Sequence, residues 1–438
     1  MKKYYTLLLF AMLGIYASAQ TPWDGTTATW TMGNGTSTNP YLIENGQQLA
    51  YLSEQVRDGE SYKNKFFKLT SDLDMGADAG QKFNPIGFFD EYINTENPSE
   101  GMIDGSKYFL GVFDGNHKKI DNIHVYYVDD NSVGGTGLFA CSTAGSIIKN
   151  IGIGDNSTIE GGDLTGGIVG SMKGGIIENC YNEALIIGGS FSIGGIVGAG
   201  EKGQILKCYN AGMIKGATNV GGIAGSIDYG ATIDNCYNSG MVNATGFYAG
   251  GMVGSLFAGN VTNCYNIGTV PDTEAFYTQA IVGSTDKDAF IIKNCYYERD
   301  LSTVSDNNKG VMEKTAAEMK TTTFVTALNS EQTPALWVID QKNLNSGFPL
   351  LNWQVSIGTG FYTARQDMNC KVYTIGQSVF VEFAESTTGQ LTVTDLTGRT
   401  VANKTIASGA SINIGYKGIY IVTVKINNRQ YVNKIAVK

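Results

Sequence analysis

Short apolar runs broken by glycine, asparagine and other turn residues follow one another along the middle of the chain. One five-residue phrase, apolar-x-Asn-apolar-x, occurs seven times, with Lys207 in place of the Asn in the fourth copy. Its fourth residue falls at positions 123, 151, 180, 208, 236, 264 and 295, in steps of 28, 29, 28, 28, 28 and 31. Self-similarity at a fixed period of this size predicts stacked structural units.

A second phrase, a small residue followed by two apolar ones, keeps the same period. It begins at Gly111, Gly137, Gly167, Gly195, Gly222, Gly251 and Ala280. Runs rich in β-branched residues and punctuated by glycine predict strands, and the unit carries neither a leucine framework nor paired helices. We therefore predict an all-β fold, a parallel β-helix with a period of about 28 residues, whose turns stack at ~4.8 Å.

The fourth position of the phrase predicts an inward-facing column. It is Ile in the first two copies, and then Cys180, Cys208, Cys236, Cys264 and Cys295. Free cysteine behaves as a small buried hydrophobe. Side chains stacked in register point the same way rather than toward each other, which disfavours disulfides, and they do not converge on one point as metal ligands must. We expect a buried column of free thiols.

The third position is expected to lie at a bend, because the apolar residues on either side of it both face inward. Asparagine tolerates the left-handed backbone that a bend needs, and stacked Asn side chains can hydrogen-bond along the axis. These residues, a predicted structural ladder, are Asn122, Asn150, Asn179, Asn235, Asn263 and Asn294. Lys207 interrupts the ladder, which is acceptable only where the side chain faces outward.

The fifth position supplies the candidate binding site. His124 and Gly152 are followed there by Tyr181, Tyr209, Tyr237, Tyr265 and Tyr296. Residues this different in size replace one another most easily on the outside, where stacked aromatic rings would offer a stripe to sugar rings or to another protein. The alternative is that stacking only stiffens the rod. If the stripe does not bind, the variable loops at Phe247-Tyr248 and Phe276-Tyr277 are the next candidates.

The phrases Gly-Gly-Ile-Val-Gly and Asn-Cys-Tyr-Asn, over about residues 135–300, resemble the GLUG repeats of bacterial surface proteins. Segments ahead of them, Phe66-Phe67-Lys68-Leu69 and Pro85-Ile86-Gly87, look like the lead-in to such arrays. The resemblance implies a right-handed β-helix and a surface or adhesive setting. It implies no chemistry.

The N-terminus has the three-part plan of a secretory signal peptide, with Lys2-Lys3, an apolar stretch and Ala17-Ser18-Ala19. We predict cleavage after Ala19 and a secreted or cell-surface protein. Without Lys2 and Lys3 the mature chain has 29 basic and 40 acidic residues, a net charge of −11. This acidity excludes a basic face for nucleic acid, and no later segment predicts a membrane span.

The flanks of the repeats are expected to cover the open ends of the solenoid, over residues 20–108 before it and 301–356 behind it. Residues 109–300 form the β-helix itself. A capped helix is predicted after Asn45, and a capping box at Thr315. Asp72 and Asp74 could bind calcium as a spaced pair, although a role at a strand end is favoured because further ligands are missing.

Alternating strands and turns predict a small C-terminal β-sandwich over residues 357–438. Three segments in it, Asp395-Leu396-Thr397-Gly398-Arg399, Gly418-Ile419-Tyr420 and the final Lys434-Ile435-Ala436-Val437-Lys438, resemble type IX secretion sorting domains.

Candidate catalytic chemistry is sparse. The two histidines, His117 and His124, are predicted on a turn and on a solvated rung, and neither belongs to a metalloprotease motif. We predict no catalytic, cofactor or metal site. The predicted function is a secreted or cell-surface adhesin, a monomer that recognises glycans or proteins. The alternative is a β-helix enzyme that degrades polysaccharide, which would gather several carboxylates or basic residues on one outer face.

Overall fold

The computed structural model describes residues 21–76, 81–93, 102–127, 134–271, 276–286, 290–302, 304–330, 332–356, 370–375, 377–383, 388–395, 399–426 and 429–437. The predicted signal peptide, residues 1–19, lies outside them, as does the link between the solenoid and the C-terminal domain. The predicted fold class is confirmed. The repeats form a parallel β-helix with short helices at its flanks, and antiparallel sheets follow at the C-terminus.

Each full turn of the solenoid contains five short strands, and equivalent strands of successive turns pair in parallel as five sheets, A to E. Sheets A and B are continuous, because Ile147–Ile153 runs through both. Sheet A holds Ile176–Glu178, Gln204–Leu206, Ala231–Asp234, Gly259–Thr262 and Phe290–Lys293. Sheet B holds Tyr181–Asn182, Tyr209–Asn210, Tyr237–Asn238, Tyr265–Asn266, Cys295–Glu298 and Val311–Lys314.

The other three sheets complete each turn. Sheet C holds His124–Tyr127, Thr158–Gly161, Leu185–Gly188, Ile214–Gly216 and Val242–Ala244. Sheet D holds Thr165–Gly166, Phe191–Gly194, Thr218–Gly221, Phe247–Gly250 and Phe276–Gln279. Sheet E holds Phe139–Ser142, Val169–Met172, Val197–Glu201, Ala224–Asp228, Val253–Leu256 and Val282–Thr285. Inward side chains of all five sheets share one apolar core with the Cys column.

The N-terminal flank adds to the same sheet and core. Tyr41–Ile43, Phe66–Leu69 and Leu73–Asp74 pair in parallel with the long strand Val112–Asp121, and Tyr41–Ile43 pairs in parallel with Phe66–Leu69. The predicted helix spans Gly46–Arg57, and the side chain of Asn45 accepts a hydrogen bond from the backbone N–H of Gln48. Leu49, Leu52 and Val56 on its buried face belong to the solenoid core. A hairpin, Glu91–Ile93 with Met102–Asp104, lies outside the coil pattern.

The first residues behind the repeats lie at the rear end of the solenoid. Val311–Lys314 adds one more strand to sheet B, and the Asp306 carboxylate accepts the backbone N–H groups of Ile281 (2.8 Å) and Val282 (3.0 Å) at the rear edge of sheet E. The chain then turns back along sheet B. This returning segment, residues 316–354, is called the strap.

The strap is built from short elements. It contains helices Ala316–Met319, Thr322–Leu328 and the start of Asn352–Ser356, and a two-strand pair of Trp337–Val338 with Leu350–Leu351. The predicted capping box is present, with the Thr315 hydroxyl accepting from the Glu318 N–H and the Glu318 carboxylate accepting from the Thr315 N–H.

The C-terminal domain is a small β-sandwich. Cys370–Ile375, Ser378–Phe383 and Ala410–Asn413 form one antiparallel sheet. Thr388–Asp395, Thr400–Ala407, Gly418–Ile426 and Arg429–Val437 form the other. Val379 and Val381 from the first sheet and Leu391 and Val422 from the second are fully buried in one core.

Candidate binding surfaces

The five tyrosines of sheet B stand in register and point away from the solenoid core. Neighbouring rings from Tyr181 to Tyr265 stack with centroids 4.9–5.0 Å apart and planes within 11° of parallel. Their outward direction agrees with the sequence analysis. Their exposure does not: Tyr237 is 1% exposed, Tyr265 is 0% exposed, and Tyr209 and Tyr296 are also buried. Tyr181 alone in the column is half-buried.

Aromatic side chains of the strap cover the column from its rear to its front. Phe324 meets Tyr296 edge-on at 4.9 Å, and Trp337 packs on Tyr265 at 5.3 Å. Trp353 then lies over Tyr209 and Tyr181, with ring centroids 5.9 and 6.5 Å away. These rings and the apolar strap residues form a second core, separate from the one inside the coil.

Polar contacts also join the strap to the tyrosine hydroxyls. The Gln354 side-chain amide donates to the Tyr237 Oη (2.9 Å), and the Asn345 amide donates to the Tyr265 Oη (2.9 Å). The Tyr265 hydroxyl in turn donates to the carbonyl of Pro349. The sequence-based expectation of a solvent-open stripe is therefore corrected. A ligand reaches Tyr237 and Tyr265 only if the strap leaves them, because their rings and their hydroxyls are both in contact with it.

The asparagine bends have the backbone that the sequence predicted. All six Asn residues, and Lys207 in their column, have φ between +52° and +57°. Part of the expected ladder is present, since Asn179 donates to Asn150 (3.0 Å) and Asn294 donates to Asn263 (2.8 Å). Elsewhere the donors go to neighbouring carboxylates, as Asn122 does to Asp74 and Asn150 to Asp114.

Lys207 leaves a defect in this ladder. The Oδ1 of Asn179 is buried without a hydrogen-bond partner, since the next rung offers a lysine rather than an amide. The Lys207 ammonium pairs with Glu178 instead. Its backbone carbonyl accepts the indole Nε1–H of Trp353 at 2.9 Å, which ties the end of the strap to the bend.

A second asparagine ladder lies inside the coil, and the sequence analysis did not identify it. Asn182 donates to Asn210, Asn210 to Asn238 and Asn238 to Asn266, at 2.8–2.9 Å. Each of these amides also forms hydrogen bonds with the backbone two residues ahead. The Asn210 side chain, for example, donates to the carbonyl of Gly212 and accepts from its N–H. The sequence does carry a signal for this ladder, because an Asn directly follows the column Tyr at positions 182, 210, 238 and 266.

The cysteine column faces inward. Cys180, Cys208, Cys236, Cys264 and Cys295 are 0% exposed and unpaired. Within the column the backbone N–H of one Cys points at the Sγ of the next, at 3.4 Å. Burial raises the pKa of the Cys180, Cys208 and Cys264 thiols, so these groups are held in the unreactive neutral form.

The remaining predicted site residues take structural positions. Asp72 accepts the backbone N–H of Lys119 (2.8 Å), and Asp74 accepts that of Gly76 (2.9 Å), as residues at strand ends do. His117 stacks on Trp353 with ring centroids 5.9 Å apart. Within the described residues no cluster of three or more His, Cys, Asp or Glu side chains is arranged to hold a metal ion.

His124 lies on sheet C and is half-buried rather than fully solvated. Its Nε2 is 3.9 Å from the Glu160 carboxylate, and its ring meets Tyr126 at 6.2 Å. Desolvation lowers the pKa of His124, and the attraction of Glu160 opposes that effect only in part. The Lys82 ammonium, 3.4 Å from the centroid of the Tyr126 ring, also disfavours a second positive charge here.

An exposed aromatic patch occupies sheet D, on two adjacent rungs. Phe247 and Phe276 are partners in register and stack at 5.2 Å, and Tyr248 and Tyr277 stack beside them at 5.5 Å. Phe276 and Tyr277 are 65% and 67% exposed, and Phe247 is 46% exposed. We call these four residues the aromatic patch. The sequence analysis placed them second to the tyrosine stripe and expected them in loops, whereas they lie in the strands Phe247–Gly250 and Phe276–Gln279.

Comparison with known proteins identifies the C-terminal domain. Residues 376–438 match the family described as "Secretion system C-terminal sorting domain". The chain is a secreted β-helix protein with a type IX sorting tail. The match indicates export to the cell surface or the extracellular space, as the sequence analysis expected. No helix among the described residues is long and apolar enough to cross a membrane.

Two curated relatives match part of this chain at low identity. Halomucin from Haloquadratum walsbyi is 28% identical over 153 residues, 34% of this chain and 2% of halomucin. A "Putative Gly-rich membrane protein" from Evansella cellulosilytica is 27% identical over 179 residues, 40% of this chain and 18% of that protein. The match thus spans less than a fifth of either relative.

One solved structure covers 74% of this chain and 95% of its own, with 21% identity and a TM-score of 0.48. It is described as the "Crystal structure of a putative immunoglobulin A1 protease from Bacteroides ovatus".

Proposed function

We propose that this protein is a non-catalytic adhesin of the GLUG-repeat kind, exported by the type IX system, and that the aromatic patch is its glycan-binding surface. Export is indicated by the sorting domain at residues 376–438. The repeat phrases support the adhesive setting through their likeness to GLUG arrays. The single observation that carries the binding role is the exposure of three of the four stacked rings, Phe247, Phe276 and Tyr277, on one sheet.

Exposure of this kind is costly for a soluble protein unless it serves binding. Phe247, Phe276 and Tyr277 are 46%, 65% and 67% exposed, whereas Tyr209, Tyr237, Tyr265 and Tyr296 of the column are each 5% exposed or less. Contiguous exposed apolar patches mark interaction sites. Aromatic rings that also carry hydroxyls, as Tyr248 and Tyr277 do, suit sugars, which present apolar C–H faces beside hydroxyl groups.

The non-catalytic part of the proposal rests on the positions of the two histidines. His117 stacks on Trp353 at one end of the strap, and His124 is engaged with Glu160 on sheet C. Neither lies in the aromatic patch, and the four patch residues carry no imidazole, carboxylate or basic group.

The test is binding of the mature protein to a glycan array and to cells, with and without the triple change Phe247→Ala, Phe276→Ala and Tyr277→Ala. Stacking on an aromatic ring contributes about 1 kcal/mol per ring, so the triple variant should bind on the order of a hundredfold more weakly. Its melting temperature should change little, because the three side chains are largely exposed.

The matched control is Tyr229→Ala with Phe257→Ala. These aromatics are 62% and 43% exposed at another corner of the same solenoid. The control should bind as the wild type does. Equal loss in both variants would place the binding energy elsewhere, and shortening of any polysaccharide by the wild type would favour the enzyme alternative.

A further inference from the structure

We propose that a one-ring notch beside the aromatic patch, floored by Thr218 and walled by Phe191 and Phe247, seats a single neutral sugar ring of the bound glycan. This inference rests on the proposed function and extends it to a defined subsite and ligand class.

The strand register defines the notch. Phe191 is the partner of Thr218 in sheet D, and the pairing of Val220 with Ala249 brings Thr218 opposite Phe247. Phe247 pairs with Phe276 on the following rung. The column therefore reads Phe, Thr, Phe, Phe along the axis, with one aromatic ring missing from an otherwise continuous outward row. Phe191 and Phe247 are 52% and 46% exposed on either side of the gap.

The size of the gap suits one ring. Rungs repeat at ~4.8 Å, so the two walls stand about 10 Å apart along the axis. A ring placed over Thr218 would lie about 5 Å from each wall, within the centroid separation that stacked rings prefer. Phe247 and Phe276, which are one rung apart, show this spacing directly at 5.2 Å.

Small and polar residues border the notch. The corner before Thr218 is Gly216-Ala217, and the corner one rung earlier is Gly189-Ser190, so the residues that lead into both strands are small. Thr218 supplies a hydroxyl at the floor. Next to it in the chain, the half-buried Asn219 accepts a hydrogen bond from the Ser255 hydroxyl through its side-chain oxygen (2.8 Å), and we assign its amide N–H₂ to a ligand hydroxyl.

These features favour a neutral sugar over the other rings that could stack here. Two apolar walls match the C–H faces of a pyranose, and the hydroxyl and amide at the rim match its equatorial groups. A mature chain of net charge −11 repels acidic sugars. A proline or aromatic side chain of a protein would use the walls but would leave the polar rim groups without partners.

The experiment fills the notch. Thr218→Phe would complete the aromatic column and occupy the space that the sugar ring needs, whereas Thr218→Ser keeps the space and the hydroxyl. The probes are neutral oligomers of β-linked glucose, mannose or galactose, with oligogalacturonate as the acidic probe. Titration of the mature protein should show at least a tenfold loss of affinity for the preferred neutral oligomer in Thr218→Phe, and a change of less than about twofold in Thr218→Ser.

A second variant, Phe191→Ala, tests the notch even if the Thr218→Phe protein does not fold. Phe191→Ala removes the wall that the patch variant leaves intact, and it should weaken binding of the same oligomer about fivefold. If Phe191→Ala and a folded Thr218→Phe both bind normally while the patch triple variant does not, the notch is wrong and the proposed function stands. If none of the variants changes glycan binding, the proposed surface itself is wrong. Tighter binding of oligogalacturonate, or competition by a proline-rich peptide alone, overturns the neutral-sugar assignment.

Discussion

The indole Nε1–H of Trp337 donates a hydrogen bond of 2.8 Å to the side-chain oxygen of Asn235, 102 residues earlier in the chain. The same oxygen accepts from the Gln332 amide at 2.9 Å. Because Asn235 gives its acceptor to the strap, Asn263 on the next rung donates to Asp234 rather than to Asn235. The strap therefore does more than cover the solenoid. It replaces a link of the asparagine ladder with its own contacts.

Removing Trp337 should be among the most destabilising single changes in the solenoid. The side chain is 1% exposed and packs on Tyr237 and Tyr265, so Trp337→Ala loses burial and leaves a cavity, at a cost of about 3–5 kcal/mol. Urea unfolding followed by circular dichroism measures the loss. Tyr229→Ala, an exposed aromatic on the same coil, should stay within about 0.5 kcal/mol of wild type.

Truncating the tyrosine column should lower stability, although an outward-facing column would suggest otherwise. Tyr237 and Tyr265 are fully buried under the strap, and replacing either by Ala should cost about 3 kcal/mol or more. Tyr237→Phe keeps the stack and loses only the hydroxyl that accepts from Gln354, for about 1 kcal/mol. Thermal melting of the three variants would rank them, and a Tyr237→Ala or Tyr265→Ala protein that melts like wild type would contradict the covering role of the strap.

Lys207→Asn should stabilise the protein. The new amide could donate to the Oδ1 of Asn179, which is buried without a partner, for a gain of about 1 kcal/mol. Asn also tolerates the φ of +52° at this position better than Lys does. The lost ion pair with Glu178 is partly exposed and contributes about 0–1 kcal/mol.

Lys207→Ala is the matched control for that change. It loses the same ion pair and supplies no donor, and it should be less stable than wild type by denaturant unfolding. The Trp353 bond to the backbone carbonyl survives in both variants, because it does not involve the side chain. A Lys207→Asn protein no more stable than Lys207→Ala would show that the orphaned oxygen is not a defect.

The cysteine column should be chemically silent in the folded protein. Its five thiols are fully buried, and Cys141 donates from inside a separate small cluster to the carbonyl of Phe88 at 3.2 Å. A thiol reagent should react slowly with the native protein and should titrate all seven cysteines of the chain once it is denatured without reductant. A shortfall of two or more thiols would reveal a disulfide.

His124 should make stability depend on pH. Burial lowers its folded pKa below the ordinary 6.5, so the neutral form is favoured in the folded state, and the resulting stability is present above about pH 6.5 and is lost as the pH falls through the folded pKa. The difference in unfolding free energy between wild type and His124→Gln should therefore shrink from pH 7 to pH 5. Glu160→Gln removes the attraction that opposes the shift and should make the loss steeper. A difference that does not vary with pH would contradict the shift.

Much of the coil follows from sequence alone, because its determinants are local and repeat. Three features show this: the period of about 28 residues, the inward Cys column and the left-handed bends at Asn150 or Asn263. Each arises because the same residue type occupies the same structural position in successive turns. The repeat reveals these positions from the sequence alone, since a position that stays apolar through seven turns faces the core in each turn. The helix at Gly46–Arg57 was equally local, through its cap at Asn45.

The strap could be decided only by tertiary structure. Phe324, Trp337 and Trp353 are not part of the repeat, so periodicity gives no information about where they pack. Their apolar side chains indicate that they need an apolar partner, but not which surface provides it. The rear end of the coil and the outer face of sheet B were both open to them. Val311–Lys314 and Asp306 cover the rear edge, which leaves the outer face of sheet B for the three aromatic side chains. The row of stacked tyrosine rings on which they pack exists only in the folded solenoid. Because the strap packs on sheet B, Tyr237 is buried. The aromatic patch, with Phe276 and Tyr277, stays exposed and is therefore the candidate binding surface.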